Sequence, residues 1–295
     1  MTTAHTPARK SRPMAQDIDV FAMTHQGKVR QENQDQFLIA SLHKTMQIHS
    51  TSLPDERLPE LMSESRGFIF LVADGVGGMP GGGQASGTAI SAIASYVTHA
   101  MRLYYHHDPD EESKFLEELQ TSVLQSHDVV RAEGAANPLK EGMATTLTMV
   151  AVLWPRAYII HVGDSRFYAL REGRLEQITK DQTMAQAMVD AGVLDSANIE
   201  RSPFRSILSS ALGGSQATPS TAVMDVRWED VMLLCTDGLT KHVGNEEIRR
   251  ILTDAHSSER ACQALIDLTL ERGATDNVTV VVGRLKKNAG LGAQG

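Results

Sequence analysis

Several features that assign a chain to a specialised class are scarce in this sequence. Its 295 residues include two cysteines, Cys235 and Cys262, whose separation fits neither a disulfide framework nor a zinc-binding pattern. Cys235 follows the apolar run 231–234, so we expect both thiols to be reduced, as in a reducing compartment. The cysteine content therefore excludes a secreted scaffold held together by disulfides.

Segments for membrane insertion and secretion are also missing. No stretch approaches the roughly 18 consecutive apolar residues that a membrane span requires. The basic residues within 1–16 are not followed by the apolar segment of a secretory signal. We therefore expect a cytoplasmic protein without a membrane partner, and flexible tails at residues 1–16 and 287–295.

The charge balance is mildly acidic. Against 28 Lys and Arg residues there are 36 Asp and Glu residues, which gives a formal net charge of −8, and no run is rich in Lys or Arg. This balance disfavours nucleic acid or an anionic membrane as a partner. With 41% hydrophobic and 22% charged residues, the composition is that of a globular protein that buries a full core.

Common catalytic motifs are absent as well. The sequence contains no GxSxG nucleophile elbow, no HExxH zinc motif and no GxxxxGK[ST] phosphate loop. The glycines from Gly75 onwards miss the dinucleotide pattern GxGxxG, because Pro80 stands where the last glycine belongs. These absences argue against several large classes of hydrolase and against dinucleotide-dependent enzymes.

One stretch, residues 67–87, organises what is present. Its apolar run 68–73 is bounded by glycine and indicates a strand buried on both faces. Asp74 follows the run directly, and a glycine-rich turn from Gly75 to Gly83 comes next. Because glycine lets the backbone approach a ligand closely, an acid at this point predicts a binding site rather than core.

Strand and helix patterns occur in blocks along the chain. Strands are predicted at 19–23, 36–40, 67–73, 146–153, 157–162, 167–170, 175–179, 231–236 and 278–285. Helices are predicted from Gln84, over 110–133, over 183–192, from Asn245 and over 259–272. Residues 41–66 are predicted to be a loop. The Ser-, Gly- and Pro-rich stretch that follows the helix 183–192 and runs to about residue 222 is predicted to be loop as well. Because strands and helices do not alternate strictly, the pattern favours an α+β fold, in which two mostly antiparallel sheets pack together in one domain.

Four aspartates lie at the ends of buried strand candidates: Asp74, Asp164, Asp237 and Asp276. The ends of buried strands often converge at one edge of a core, and clustered carboxylates repel one another unless a cation is bound. Oxygen ligands without Cys or paired His select Mg²⁺ or Mn²⁺ over zinc. Alternatively, each Asp belongs to a turn, since Asp-Gly is a common turn dipeptide. The spacing alone leaves both interpretations open.

Five segments carry a family resemblance. They are GKVRQENQD (27–35), VADGVGGM (72–79), VGDSRFY (162–168), CTDGL (235–239) and ATDNVTVVV (274–282). In this order they resemble the signature segments of the metal-dependent PP2C-type (PPM family) serine/threonine protein phosphatases, in a bacterial-like form. The resemblance covers roughly residues 17–286. It implies a four-layer α-β-β-α sandwich, in which helices flank the two sheets.

The resemblance also implies a set of metal ligands. Asp74 would bridge two Mn²⁺ or Mg²⁺ ions, with the Gly75 carbonyl on one of them, and Asp237 and Asp276 would complete the binuclear site. Asp35 would bind an ion directly or through water. Asp164 would join Asp237 at a third ion.

The implied reaction is hydrolysis of phosphoserine and phosphothreonine in proteins, with a role in signalling. A water or hydroxide that bridges the two ions would attack the phosphorus directly and in line. Arg30 matches the arginine that grips the substrate phosphate, and its planar fork suits two phosphate oxygens. Without the resemblance, Arg30 would be interpreted as a solvated turn residue. The implied partners are phosphorylated proteins and an opposing Ser/Thr kinase, and we expect a monomer.

Three positions qualify this resemblance. Gln34 stands where many members have Glu, which would weaken a water-mediated metal contact. Val76 occupies the position where eukaryotic members often carry a His proposed to protonate the leaving group, so the resemblance assigns no general acid. His161 is close to the site in sequence but alternates within a strand, and we interpret it as structural.

Residues 183–212 fall where the family carries a variable flap beside the active site. Met184 and Met188 either contact substrate there or pack within the helix, and we favour packing.

A pseudophosphatase that acts as a binding or sensing module is the competing hypothesis. It predicts lost metal ligands, and the one visible loss is at Gln34. An active phosphatase requires Asp74, Asp237 and Asp276, and all three are present.

Overall fold

The computed structural model describes residue 13 and residues 17–42, 46–51, 67–76, 81–100 and 109–286. The predicted tails therefore lie outside the described residues, apart from Pro13, as do Gly77 and Gly78 of the glycine-rich turn.

Strands and α-helices of the described part are numbered in chain order. The strands are β1 (Ile18–His25), β2 (Asp35–Leu42), β3 (Met46–Thr51), β4 (Gly67–Asp74), β5 (Leu147–Leu153), β6 (Arg156–Val162), β7 (Arg166–Arg171), β8 (Arg174–Gln177), β9 (Ser220–Asp225), β10 (Val231–Cys235) and β11 (Val278–Leu285). The helices are α1 (Gly82–Ala100), α2 (Pro109–Ala136), α3 (Met184–Asp190), α4 (Asp237–Thr240), α5 (Asn245–Asp254) and α6 (Ser258–Glu271).

The strands form two antiparallel sheets. One sheet has the order β1-β11-β10-β7-β8, and the other has the order β3-β2-β4-β5-β6-β9. The inner faces of the two sheets pack together through a cluster that includes Phe37, Phe70, Phe167, Leu234 and Val281. The predicted α+β fold with two packed antiparallel sheets is confirmed.

Helices cover the outer face of each sheet. Ile90 of α1 and Leu119 of α2 belong to one buried cluster with Leu71 of β4. On the other side, Leu252 of α5 packs in a cluster with Leu233 of β10. The layers are therefore helix, sheet, sheet and helix, as predicted. None of the helices in the described ranges is long and apolar enough to cross a membrane.

The apolar run at the centre of the larger sheet is buried on both faces. Phe68, Phe70 and Val72 of β4 point into the cluster between the sheets. Ile69 and Leu71 alternate with them and point towards α1 and α2. Because side chains of a strand alternate between its faces, a strand covered on both sides needs a continuous apolar run.

Two edge strands correct the predicted loops. Residues 41–66 were predicted to be a surface loop, yet β3 (Met46–Thr51) pairs antiparallel with β2 inside that range. Residues 43–45 and 52–66 of the same range lie outside the description. The loop predicted from the end of the helix 183–192 to about residue 222 likewise overlaps the first residues of β9, which pairs with β6. Both strands have polar, edge-type sequences without the apolar run that marks a central strand.

A close backbone contact joins the turns that follow β10 and precede β11. A Cβ atom placed on Gly238 would lie 1.9 Å from the carbonyl oxygen of Asn277, so only glycine fits there. This contact holds Asp237 and Asp276 at the same edge of the smaller sheet.

We predict that Gly238→Ala lowers the free energy of unfolding by about 2 kcal/mol or more, because the new methyl group must displace backbone atoms. Urea unfolding followed by circular dichroism measures the change. Gly244→Ala is the matched control, since its nearest neighbour would be a side-chain oxygen of Glu247 at 3.9 Å, and we expect a loss below about 1 kcal/mol. Equal losses in the two variants would contradict the assigned contact.

Candidate metal centre

The predicted acids meet at one end of the sandwich. Asp74 ends β4 and lies opposite Asp35, the first residue of β2, in the antiparallel ladder. Asp164 lies in the turn between β6 and β7. Asp237 follows β10, and Asp276 precedes β11.

A cleft of about 1440 Å³ opens above these strand ends. It is lined by Asp74, Asp164, Asp237 and Asp276, together with Arg30. The fold therefore brings together the four acids that the sequence singled out. The alternative, in which each Asp is only a turn residue, does not explain why all four line one cleft.

Asp35 lies beneath the cleft and is almost fully buried, with 1% of its surface exposed. Its Oδ2 accepts hydrogen bonds from the hydroxyls of Thr236 at 2.8 Å and Thr279 at 2.7 Å. Its Oδ1 has no hydrogen-bond partner in the described structure. Burial raises the pKa of Asp35 to about 7, although the two hydroxyl donors oppose the shift.

The carboxylates that face the cleft raise one another's pKa values. Burial raises the pKa of Asp74 well above its ordinary value, and the nearby charges of Asp35, Asp237 and Asp164 raise it further. Burial raises the pKa of Asp164 as well, with a further contribution from Asp237. Such a cluster is stable in its ionised form only when cations lie close to it.

Asp276 is the exception, because two basic side chains hold it. Arg30 contacts both of its oxygens, with Nε 2.6 Å from Oδ1 and an Nη2 hydrogen bond of 2.8 Å to Oδ2. Lys241 donates to the same Oδ2 at 2.8 Å. Burial would raise the pKa of Asp276, but the hydrogen bonds from Arg30 and Lys241 outweigh it and lower the pKa.

Hydroxyl and backbone groups fix the end of β4. The carbonyl of Asp74 accepts hydrogen bonds from the Thr145 hydroxyl and from the Thr146 N–H, both at 2.9 Å. The N–H of Gly75 donates to the carbonyl of Gln34 at 3.2 Å. A Cβ on Gly75 would lie 2.4 Å from the backbone of Gly82, so the first turn of α1 approaches the site only because residue 75 is glycine.

Asn277 organises the loop that carries Arg30. Its Nδ2 donates to the carbonyls of Gln26 and Glu32, both at 2.8 Å, and its Oδ1 accepts from the N–H of Gln34 at 2.9 Å. Three hydrogen bonds to one loop fix its position relative to β11. The sequence interpretation did not assign roles to Asn277, Thr236 or Thr279, because a single polar residue beside an Asp carries no pattern of its own.

The donor chemistry fits a hard divalent cation. Every candidate side-chain ligand is a carboxylate, and Oδ1 of both Asp35 and Asp237 is buried without a hydrogen-bond partner in the described structure. Mg²⁺ and Mn²⁺ prefer such oxygen ligands. Among the described ranges, no group of three His, Cys, Asp or Glu side chains is arranged so that it could hold a metal ion in this structure. Ion pairs from Arg30 and Lys241 hold Asp276 and Asp237 instead.

His161 has the structural role that we predicted. It is buried, its Nδ1 lies 2.9 Å from the Thr148 hydroxyl, and its Nε2 lies 3.2 Å from the Lys180 carbonyl. Burial lowers the pKa of His161 to about 4, so the ring stays neutral near pH 7.

The predicted flap, residues 183–212, borders the cleft. It contains α3, and its residues Ile199, Arg205 and Ile207 line the cleft wall. Packing was the favoured interpretation of Met184, but its surface is 42% exposed, so this interpretation is wrong for Met184. A single helical turn of apolar residues does not distinguish a packed face from an exposed one.

We predict that Asp35→Asn stabilises the metal-free protein more at pH 8 than at pH 5. The folded-state pKa of Asp35 lies above its ordinary value of 3.8, so the contribution of Asp35 lowers the free energy of unfolding as the pH rises from 3.8 towards 7. The stabilisation, measured by urea unfolding in EDTA, should be about 2 kcal/mol larger at pH 8. Asp267→Asn, at an exposed position on α6, is the matched control. An equal effect of Asp35→Asn at both pH values would contradict the prediction.

Comparison with known proteins agrees with this geometry. The Protein phosphatase 2C family matches residues 55–271. The serine/threonine protein phosphatase PstP of Mycobacterium tuberculosis is 38% identical over 215 residues, which are 72% of this chain and 40% of PstP. The chain therefore spans less than half the length of that curated relative. A putative protein phosphatase 2C-type protein of Streptococcus pyogenes is 28% identical over 72% of this chain and 84% of its own length.

Solved structures show the same fold. The crystal structure of the M. tuberculosis serine/threonine phosphatase PstP/Ppp superposes with a TM-score of 0.71 at 31% identity, over 92% of this chain and 99% of that chain. The catalytic domain of PstP in complex with two manganese ions gives a TM-score of 0.69 at 30% identity, with the same coverage. The family match, the two-sheet fold and the acid-lined cleft agree: this chain belongs to the Protein phosphatase 2C family.

Proposed function

We propose that this chain hydrolyses phosphoserine and phosphothreonine in proteins, with Mn²⁺ or Mg²⁺ as its cofactor. The cluster of buried carboxylates carries the proposal, because Asp35 and Asp237 each keep one buried oxygen without a hydrogen-bond partner in the described structure. A cluster of this kind needs a hard cation. Membership of the Protein phosphatase 2C family, and relatives named serine/threonine phosphatases, support phosphoproteins as the substrate class.

The proposed ligands of the ions are the acids of the cleft. Asp74 and the Gly75 carbonyl, with Asp237 and Asp276, would hold two ions, and Asp35 would bind directly or through water. Asp164, which lines the same cleft, would join Asp237 at a third ion. When bound, the ions supply a nucleophile from water near neutral pH and neutralise the phosphoryl oxygens.

Arg30 is the proposed phosphate-binding residue. It reaches the cleft from the loop that Asn277 fixes, and its Nε and Nη2 atoms each contact one oxygen of Asp276. The hydrogen bond to Asp276 raises the pKa of Arg30, so the side chain stays charged throughout the working pH range. A guanidinium held in this way presents its remaining N–H groups to phosphate oxygens without losing further rotational freedom.

The wall of the cleft at Val76 is apolar and provides no proton donor. We assign the proton that the leaving serine or threonine oxygen requires to water.

The wider setting follows from the same proposal. A phosphoprotein substrate requires a Ser/Thr kinase to produce it, so the activity would reverse such a kinase in signalling. Both cysteines are buried and free, which supports a reducing, cytoplasmic location. Residues 17–286 would act as one monomeric phosphatase domain.

The pseudophosphatase hypothesis has less support. It requires the loss of metal ligands, whereas Asp74, Asp237 and Asp276 all border the cleft. The change at Gln34 does not remove a carboxylate from this set, and the backbone carbonyl of Gln34 still accepts hydrogen bonds from Gly75 and Ser86.

We predict that hydrolysis of a phosphothreonine peptide requires Mn²⁺ or Mg²⁺ and that Asp74→Asn lowers kcat/KM on the order of 100-fold or more, because it removes one charge shared by both ions. Phosphate release measured with and without EDTA tests both statements. Asp267→Asn, at an exposed position on α6 that does not line the cleft, should retain wild-type activity. Turnover that persists in EDTA, or wild-type activity in Asp74→Asn, would contradict the proposed function.

A further inference from the structure

Gln182 lies at the base of the flap, residues 183–212, and bonds to the chain on both sides of it. Its backbone N–H donates to the carbonyl of Gly163 at 2.7 Å, and its Oε1 accepts from the N–H of Gly163 at 3.0 Å. Its Nε2 donates to the carbonyl of Thr218 at 3.0 Å, just before β9. One residue therefore joins the turn that carries Asp164 to the chain that leaves the flap.

The returning end of the flap depends on the same residue. The N–H of Ser209 donates to the carbonyl of Gln182 at 2.9 Å, so the incoming and outgoing segments of the flap are paired at this point. One residue further into the flap, Thr183 and Leu208 form an isolated β-bridge. The position of Gln182 therefore sets where both segments of the flap begin.

The turn on the other side of these bonds is fixed without the flap. Gly163 has a φ of +106°, and a Cβ atom placed on it would lie 2.6 Å from Cγ2 of Thr146, so the turn packs closely against this residue. The hydroxyls of Ser165 and Thr146 lie 2.7 Å apart, and the Thr148 hydroxyl donates to the Ser165 carbonyl at 3.0 Å. Thr146 also donates its N–H to the Asp74 carbonyl at 2.9 Å. The turn thus belongs to the same hydrogen-bonded unit as the acids.

Two further contacts hold the outer ends of this region. Asp181 pairs with Arg166 at 2.7 Å, and Leu212 exchanges two backbone hydrogen bonds with Thr145. These contacts keep the flap attached to the domain when the Gln182 side chain is removed. What that side chain adds is a fixed position of the flap relative to the acids.

The flap forms one wall of a cleft that is larger than a phosphate group requires. The cleft volume is about 1440 Å³, and the flap residues Ile199, Arg205 and Ile207 line it together with Asp74. Ile207 is 49% exposed and therefore available for contact. Gln182 does not line the cleft, so it acts on a bound molecule only through this wall. The space beside the wall suits the peptide that flanks a phosphorylated residue.

We propose that Gln182 is a positioning residue for phosphoprotein substrates, because it fixes the flap wall against which the peptide beside the phosphorylated residue binds. This inference rests on the proposed phosphatase function. A wall that is already in place binds peptide without the entropic cost of ordering it first. A small phosphate ester needs the acids and Arg30 but not the wall, so its hydrolysis does not depend on Gln182.

The test compares a phosphothreonine peptide with p-nitrophenyl phosphate in the presence of Mn²⁺. Gln182→Met removes both polar side-chain atoms at nearly constant length and should raise KM for the peptide about 5- to 10-fold, as expected for one or two lost hydrogen bonds. The kcat for the peptide and kcat/KM for p-nitrophenyl phosphate should change less than about twofold, since only binding of the peptide is weakened. Gln182→Asn, which is too short to bond to both Gly163 and Thr218, should behave in the same way.

Gln263→Met is the matched control. Gln263 also uses its Nε2 for one hydrogen bond, to Asp267 within α6 at 2.8 Å, and it does not line the cleft. This variant should match the wild type on both substrates. Circular dichroism melting checks that every variant is folded.

Hydrogen exchange of the metal-free protein, followed by mass spectrometry, supplies a readout apart from activity. Amides of residues 183–209 should exchange faster in Gln182→Met than in the wild type, and those of β5 should not. Equal losses on both substrates, an unchanged KM for the peptide in both Gln182 variants, or exchange that is unchanged in the flap or faster throughout the chain would overturn this proposal and leave the phosphatase assignment intact. A wild type that does not hydrolyse the peptide would overturn the proposed function and this inference with it.

Discussion

Electrostatic repulsion among carboxylates at the end of an apolar sandwich is the constraint on which the rest of this structure depends. The two packed sheets supply the low-polarity surroundings, and the ladder between β2 and β4 sets Asp35 directly opposite Asp74. Burial raises the pKa values of Asp35 and Asp74, and each neighbouring charge raises them further. A fold that holds acids in this way stores an unfavourable free energy that bound cations remove, and this stored free energy provides affinity for metal.

Backbone contacts keep the acids close in spite of that repulsion. Gly238 lets the turn after β10 touch the carbonyl of Asn277, and Asn277 in turn fixes the loop that carries Arg30. Thr236 and Thr279 donate hydroxyl hydrogen bonds to Asp35 from the two neighbouring strands. The small, polar residues around the cleft therefore perform a positioning role that complements the charges, and the apolar core behind them makes the arrangement rigid.

Much of the fold could be predicted because its central strands are unambiguous. The run 68–73 is continuous and apolar, because one face of β4 packs against the helices and the other against the second sheet. Asp74 comes directly after this doubly buried run. The edge strands β3 and β9 escaped prediction because edge strands need no such run. Lys241 escaped it for another reason: a lysine one turn after an Asp is usually a solvated helix residue, and only the fold brings Asp276 to it. Local patterns thus identify the acids, whereas Arg30 and Lys241, the basic side chains that pair with Asp276, reach it only through contacts between distant parts of the chain.

The central claim is that these acids hold protons which a divalent ion displaces. Calorimetric titration of the metal-free protein with Mn²⁺ at pH 6.5, in buffers of different ionisation enthalpy, measures the protons released per ion bound. Because the pKa of Asp35 is about 7, the account predicts net proton release that decreases in Asp35→Asn. Mn²⁺ binding without proton release, or no Mn²⁺ binding, would contradict it.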